Sequence, residues 1–227
     1  MKSLHSSTGR MSPPTPQTRL IESAQVLGVA LSAVDADRLL RLLGELGRWN
    51  QTHNLTAITE HEKMITHHLL DSLSVHTELR GETVADVGTG AGFPGLPLAV
   101  VNPQRRFTLI DSNNKKVRFV AHAARTLGLG NVTPTQARAE APHSGKPFDT
   151  VIARAFAALP ELLEKVSPLC GPATRVLAMK GKRPDEEIAG VPAAWRVIDV
   201  RALTVPGLNE ERHLVILQPA PESDRTT

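Results

Sequence analysis

The pattern of apolar and polar positions divides the chain into a helical first part and a second part in which strands and helices alternate. Apolar residues recur at helical spacing over 20–27, after Ser32, and over about 60–79. From Thr83 onward, short β-branched and apolar runs predict strands at 83–87, 106–111, 132–135, 149–153, 175–179, 195–205 and 213–217. Between them, helices are predicted from near Pro94 to 101, at 114–127 and at about 159–169.

Strands that alternate with helices predict a parallel, doubly wound sheet. The last two strands differ, because Pro206, Gly207 and Asn209 lie between them and predict a turn. The expected fold is therefore α/β and Rossmann-like, with a mostly parallel seven-stranded sheet and a C-terminal antiparallel hairpin. Such a hairpin is typical of class I methyltransferases rather than of ordinary dinucleotide-binding domains.

The same pattern predicts the division of the chain. Residues 1–19 are polar and rich in Ser, Pro and Thr, so a disordered tail is expected there. Residues 20–80 are predicted to form an N-terminal helical extension and 81–218 the Rossmann-like domain. A second disordered tail is expected over 219–227.

A glycine-rich turn after the first strand carries the most specific chemical signal. Glycines 88, 90 and 92, preceded by Asp86, fit the hydrophobic–Asp–x–Gly–x–Gly–x–Gly pattern of S-adenosylmethionine (SAM) methyltransferases. Glycines 90, 92 and 95 also fit G-x-G-x-x-G, the dinucleotide fingerprint, which is weak evidence alone. A carboxylate at Asp86 suits the ammonium of SAM, directly or through water, but would repel a pyrophosphate. The turn therefore favours SAM, with Asp86, Gly88 and Gly90 as cofactor-binding residues.

Composition narrows the classes of partner. The net charge of +3 and sequence pI near 9.3 permit an anionic partner, whereas 3% aromatic residues and no tyrosine argue against a broad base-stacking platform. The single cysteine, Cys170, excludes an internal disulfide and suits a reducing cytoplasm. The sequence has no apolar run of membrane-spanning length. A cytoplasmic protein is expected, with no fixed oligomeric state and a monomer as the simplest one.

Functional side chains are expected where the strands end, because ligands of open α/β sheets bind beyond the carboxyl ends of the strands. The second strand ends in Asp111, which can accept hydrogen bonds from a ribose. The fourth ends in Arg154, and Lys180, Lys182 and Arg183 follow the fifth. Cations on this edge predict an anionic substrate, and the last three are the candidate RNA contacts.

Missing motifs restrict the reaction. The fourth strand is not followed by Asn/Asp-Pro-Pro-Tyr/Phe, which serves methylation of exocyclic amines, and the chain has no Pro-Cys nucleophile for cytosine C5. His61-Glu62 is followed by Ile65 rather than by the second histidine of a zinc protease, so no metal site is predicted. His67 and Asp71 are four residues apart on a predicted helix, which favours a structural histidine–acid hydrogen bond. No catalytic side chain is assigned.

Several short segments, taken in order, resemble the RsmG family, also called glucose-inhibited division protein B. They are Arg48-Trp49-Asn50 with Asn54-Leu55-Thr56, His68-x-x-Asp71-Ser72, residues 86–95, Leu109-Ile110-Asp111-Ser112, Arg154-Ala155-Phe156, Lys180-Gly181 and Glu211-Arg212-His213-Leu214. The resemblance covers roughly residues 30–218.

The resemblance implies SAM-dependent methylation of guanine N7 at one position of 16S ribosomal RNA. It implies cofactor contacts at Gly88, Phe93, Ala139, Glu140 and Arg154. The expected partner is 16S rRNA or the small ribosomal subunit.

Three alternatives remain open from the residues themselves. The chain could be a SAM methyltransferase acting on a protein or a small molecule, a nicotinamide-dependent oxidoreductase, or a non-catalytic RNA-binding module. The cations at the strand ends argue against the first of these. Consumption of SAM and the identity of the methylated pool would separate them.

Overall fold

A computed structural model describes residues 14–142 and 144–221. Its centre is one seven-stranded sheet in the order β3-β2-β1-β4-β5-β7-β6. The strands are β1 (Thr83–Val87), β2 (Arg106–Asp111), β3 (Val132–Gln136), β4 (Phe148–Arg154), β5 (Cys170–Lys180), β6 (Trp195–Ala202) and β7 (His213–Pro219). The first five are parallel, and β7 is antiparallel to both β5 and β6. The predicted mostly parallel sheet and C-terminal hairpin are therefore confirmed.

The α-helices are α1 (Pro16–Val26), α2 (Ala33–His53), α3 (His61–Met64), α4 (Asp71–Leu73), α5 (Gly95–Val101), α6 (Asn114–Leu127), α7 (Leu159–Val166) and α8 (Asp185–Ala189). Their ends follow local chemistry. Ser32 caps α2 by accepting a hydrogen bond from the Asp35 N–H, as the sequence predicts. Gly128 ends α6 in the left-handed conformation. The short helix α8 was missed by the sequence analysis.

Two hydrophobic clusters cover the two faces of the sheet. The larger one combines the buried leucines of α2, among them Leu39 and Leu46, with α5, α6 and inward residues of the sheet such as Leu109. The smaller one joins α7 to the other face, where Leu162 packs near Val151. The N-terminal helices thus share the core of the Rossmann-like domain. They contribute one of its layers rather than standing apart from it.

The predicted tails are too long at both boundaries. Helix α1 begins at Pro16, where Thr15 caps it, so residues 16–19 are helical. Strand β7 continues to Pro219, and the buried Ala220 donates its N–H to the Ala194 carbonyl. The remaining parts of the predicted tails, 1–13 and 222–227, lie outside the described residues.

The single helix predicted over 60–79 is wrong. Helix α3 passes into a π-helical segment, Ile65–Leu70, before α4 and a 3-10 turn, His76–Glu78. A π-helical turn inserts an extra residue into the helical repeat, which changes the faces on which side chains lie. His67 and His68 lie within this π-helical segment, and Asp71 follows it directly.

Candidate active site

The glycine turn lies at the carboxyl edge of the sheet, between β1 and α5. Gly88 and Thr89 donate their N–H groups to the Ile110 carbonyl of the neighbouring strand, at 2.9 and 3.1 Å. Gly88 and Gly90 both have positive φ, +67° and +60°, a conformation that glycine adopts without the steric cost of a Cβ atom. These hydrogen bonds therefore fix the turn to the sheet.

Asp86 stabilises this turn from behind. Its side chain has no exposed surface, and Oδ2 accepts hydrogen bonds from the Thr89 hydroxyl at 2.6 Å and the Gly95 N–H at 2.8 Å. Oδ1 has no hydrogen-bond partner among the described residues, and burial raises the pKa of this carboxyl to about 6. The sequence analysis allowed direct contact between Asp86 and the ligand ammonium. This possibility is wrong, because the buried Asp86 presents no surface to a ligand. Contact through water remains a prediction for the unpartnered Oδ1.

A cavity of about 440 Å³ adjoins the turn, and its lining residues are suited to bind a nucleoside. Asp111 lies in its wall, where Oδ2 accepts the Gly90 N–H at 2.9 Å and Oδ1 accepts the Asn113 N–H at 2.8 Å. Each carboxylate oxygen has further acceptor capacity, so two ribose hydroxyls find acceptors here. The hydrogen-bond acceptors of Asp111 thus fit the ribose of the adenosine part of SAM.

The cofactor positions implied by the resemblance divide between this cavity and its surroundings. Gly88, Ala139 and Glu140 line the cavity, with Ala139 buried and Glu140 exposed. Phe93 does not line it: it is buried, and its ring stacks on His68 at 4.8 Å between centroids. Arg154 also lies outside, in the wall of the adjoining cavity. These assignments stay predictions.

Phe156 is a cavity residue to which the sequence analysis gave no role. A Cβ atom added to Gly88 would lie 2.3 Å from its Cδ2 atom, so the ring stands directly over the turn. The preceding residue, Ala155, has a φ of +50°, which is uncommon for a residue with a side chain. The sequence feature that could have identified Phe156 is its position two residues after the end of β4, at the edge where ligands bind.

The adjoining cavity, of about 420 Å³, shares Ala155 with the first. Arg154, at the end of β4, donates through Nη1 to the Asp71 carboxylate and to the His67 carbonyl, each at 2.9 Å. The guanidinium also lies 5.8 Å from the centre of the Phe93 ring. Strand β4, the π-helical segment and α4 therefore meet at this cavity, and the hydrogen bonds of Arg154 connect them.

The predicted hydrogen bond between His67 and Asp71 is wrong. His67 Nε2 lies 3.3 Å from Glu210, and Asp71 pairs with arginines instead. His68 is buried beside Thr56, whose hydroxyl lies 3.0 Å from Nε2, while Nδ1 has no hydrogen-bond partner in the part of the chain that the structure describes. Burial, with the nearby charge of Arg154, lowers the pKa of His68 to about 4, so its imidazole is neutral at physiological pH.

Of the three predicted RNA cations, the structure leaves one unpaired. Lys180 stays a prediction: its ammonium donates to Glu187 and to the Ala157 carbonyl, both at 2.7 Å, and these hydrogen bonds hold α8 and the loop after β4 to β5. Arg183 is exposed and paired with Asp185 at 2.7 Å. Lys182 is exposed, with no hydrogen-bond partner among the residues that the structure describes.

Lys182 therefore gives the simplest test of the cationic edge. If its ammonium contacts an RNA phosphate, Lys182→Ala should reduce the slope of log affinity against log salt by about one unit. SAM affinity should not change, because Lys182 lies in neither cavity wall. Binding of 16S rRNA titrated at several salt concentrations measures the slope. An unchanged slope would make Lys182 an ordinary surface lysine.

Within the described ranges, the structure has no cluster of three or more His, Cys, Asp or Glu able to hold a metal ion. Among the described residues, no helix is both long and apolar enough to cross a bilayer.

The sheet order, the glycine turn and the nucleoside-sized cavity define a class I SAM-dependent methyltransferase. Solved structures agree on this fold. A SAM-dependent methyltransferase from Aquifex aeolicus superposes with a TM-score of 0.54 at 22% identity, covering 70% of this chain and 93% of its own. TrmK from M. capricolum, solved with S-adenosyl-homocysteine, gives a TM-score of 0.53 at 13% identity over 65% of this chain and 67% of its own.

A family model described as rRNA small subunit methyltransferase G matches residues 35–215, and the chain belongs to this family. Proteins named ribosomal RNA small subunit methyltransferase G are also similar over most of their length. The one from Xanthomonas campestris pv. campestris (strain B100) is 46% identical over 87% of this chain and 94% of its own. The one from Methylococcus capsulatus is 47% identical over 85% and 94%. The family resemblance inferred from the short segments is thus confirmed, and with it SAM as cofactor.

Proposed function

We propose that this protein methylates N7 of a guanine in the RNA of the small ribosomal subunit, using SAM. Two cavities that share the wall residue Ala155, directly after β4, support this proposal, since one borders the glycine turn and fits a nucleoside and the other is lined by cations. The names of the family and of its members support small-subunit rRNA as substrate. The N7 position rests on the resemblance described above and on the chemistry that follows.

SAM supplies an electrophilic methyl group on a sulfonium. Guanine N7 carries an in-plane lone pair and no proton, so no side chain has to remove one. What the protein must do is hold nucleophile, methyl carbon and sulfur in line, which is catalysis by proximity and orientation. Asp111 and the glycine turn would hold the nucleoside end of the cofactor, and the adjoining cavity would receive the target nucleotide.

The neutral state of His68 agrees with this chemistry. A buried imidazole whose pKa is lowered to about 4 does not change its charge near neutral pH. It stacks on Phe93, which in turn lies below Arg154. We therefore assign His68 a structural role in shaping the site.

Methyl transfer from labelled SAM tests the proposed function. Purified 16S rRNA, assembled small subunits, a protein pool and a metabolite pool should be offered separately, and the labelled nucleoside identified by mass spectrometry. We expect label in RNA alone, as 7-methylguanosine. Label in protein or metabolites, or in another nucleoside, would contradict the proposal. Tight RNA binding without consumption of SAM would indicate a non-catalytic module.

The pH dependence of single turnover tests the absence of a proton-removing group. At saturating SAM and RNA we expect a nearly constant rate from roughly pH 6.5 to 8.5, because no acid or base has to titrate for the attack. His68 is neutral throughout, and Asp86, whose pKa is raised to about 6, is mostly ionised across this window. A tenfold rise over the window that disappears in a folded His68→Gln variant would show that His68 takes part in the chemistry.

A further inference from the structure

The cation-lined cavity contains a charged cluster in which only Arg154 is a predicted cofactor contact. Asp71, on α4, accepts hydrogen bonds from two arginines at once: Arg154 Nη1 at 2.9 Å and Arg212 Nε at 3.0 Å. The Asp71 side chain is 3% exposed, whereas each arginine side chain is 21% exposed. A buried carboxylate therefore holds two partly exposed arginines in the same wall.

Sheet topology brings these residues together. Arg154 ends the parallel strand β4, and Arg212 directly precedes β7. Because β7 runs antiparallel to β5, its first residue, His213, pairs with Lys180, the last residue of β5. The start of β7 therefore lies at the same edge as the ends of the parallel strands, which is the ligand-binding edge.

The charges in this wall do not cancel. Asp71 supplies one negative charge to two guanidiniums, which leaves one positive charge in excess. The neighbouring Lys180 is neutralised by Glu187 at 2.7 Å. Glu210 lies 3.3 Å from His67 and its carboxylate also interacts with the charge of Arg212, but it does not line the cavity. Among the lining residues the two arginine charges exceed the single charge of Asp71, so an anion in the cavity would meet net positive charge.

The two arginines also retain free donors. Arg154 uses Nη1 for both of its hydrogen bonds, and Arg212 uses Nε and Nη1. Within residues 14–142 and 144–221 the Nη2 groups of both side chains have no hydrogen-bond partner. Guanidinium groups held in a fixed plane are well suited to bind the oxygens of a phosphate or carboxylate.

We propose that this cavity is a phosphate subsite for the RNA, in which Arg212 contacts a phosphate beside the target nucleotide and Asp71 is the positioning residue that fixes Arg212. The proposal rests on the proposed function. The chemistry recognised is an anionic oxygen group, and the methionine carboxylate of the cofactor is the other possible source. The experiments below separate the two.

The first experiment replaces Arg212 by glutamine and measures two affinities. A phosphate contact predicts that Arg212→Gln weakens 16S rRNA binding at least fivefold and reduces the salt slope by about one unit. S-adenosylhomocysteine affinity, measured by calorimetry, should stay within twofold of wild type. The matched control is Arg106→Gln, which removes the same charge from an exposed arginine at the start of β2, on the opposite edge of the sheet. Arg106→Gln should leave the slope unchanged.

A tenfold loss of S-adenosylhomocysteine affinity in Arg212→Gln, with an unchanged salt slope, would assign the cavity to the cofactor carboxylate and overturn the proposal. Equal losses of RNA affinity in Arg212→Gln and Arg106→Gln would also overturn it, because they would indicate a long-range effect of net charge. These binding measurements do not depend on methyl transfer. Failure of the subsite is therefore distinguishable from failure of the proposed function.

The second experiment tests positioning through the sign of the effect. Asp71→Asn removes a negative charge from the site, so electrostatics alone predicts tighter RNA binding. If Asp71 acts by fixing Arg212, the variant should instead bind 16S rRNA more weakly, by threefold or more. Tighter binding in Asp71→Asn would refute the positioning role. Should Asp71→Asn fail to fold, Arg212→Lys decides: it keeps the charge but not the planar group, and wild-type RNA affinity would contradict the proposal.

Discussion

A Gly88→Val variant is expected to bind SAM at least tenfold more weakly than wild type, a loss of about 1.4 kcal/mol in binding free energy. Two effects act at this position. The backbone has a φ of +67°, which a β-branched residue rarely adopts. A Cβ atom would also lie 2.3 Å from the Phe156 ring, in the wall that both residues contribute to the cofactor cavity. The added side chain must displace the ring or enter the cavity.

Calorimetry with SAM on folded protein measures this loss. Gly130→Val is the matched control, because Gly130 has no positive φ and an added Cβ atom there meets nothing within 4 Å. We expect the control to retain wild-type affinity. Since Gly88→Val strains the turn itself, its circular dichroism and melting temperature must be recorded beside the affinity. Wild-type affinity in a folded Gly88→Val variant would show that the cofactor does not approach this turn.

The parts of the site that lie where sequence reasoning expected them are encoded locally. The glycine turn needs only a strand, an acid and correctly spaced glycines, and each lies within 13 consecutive residues, Thr83 to Gly95. Asp111 was located by the rule that ligands gather at strand ends, and it does line the cavity. Caps such as Ser32 were predictable for the same reason, because a cap and its helix are neighbours in the chain.

The parts that were missed depend on pairs far apart in sequence. Arg212 and Asp71 are 141 residues apart, and they meet only because β7 lies between β5 and the edge strand β6. The sequence predicts the hairpin but not which of its strands is internal. Lys180 has a nearer partner, Glu187, but that pairing requires α8, a five-residue helix whose pattern was too short to recognise.

Burial explains why Asp86, predicted to contact the cofactor, does not reach the ligand edge. An acid at the end of a strand is usually exposed to the ligand edge, and the sequence gives no sign of the contrary. In the structure the turn folds back over this carboxylate, and Thr89 and Gly95 both donate hydrogen bonds to Oδ2. A motif can therefore name the right residue while its role is to support the loop rather than to touch the ligand.

The second large effect concerns the N-terminal helices. We expect Leu46→Ala to lower the free energy of unfolding of the whole protein by about 2–5 kcal/mol, in a single transition. Leu46 is fully buried in α2, within the cluster that includes residues of α5, α6 and the sheet. Truncation leaves a cavity in a core shared by both predicted parts of the chain. Urea unfolding followed by circular dichroism measures the change.

Val34→Ala is the matched control, because Val34 lies on the same helix but is 63% exposed. A change within about 0.5 kcal/mol is expected there. Two separate transitions in the wild type, or a loss at Leu46→Ala confined to the first of them, would mean that residues 20–80 fold as an independent extension. The contact between α2 and α5 makes one transition the expected outcome, since α5 begins at Gly95, where the glycine turn ends. Ligand binding tests the same cooperativity. Saturating SAM should raise the free energy of unfolding of wild type and of Leu46→Ala by the same amount, because a ligand that binds only the folded state stabilises the whole cooperative unit.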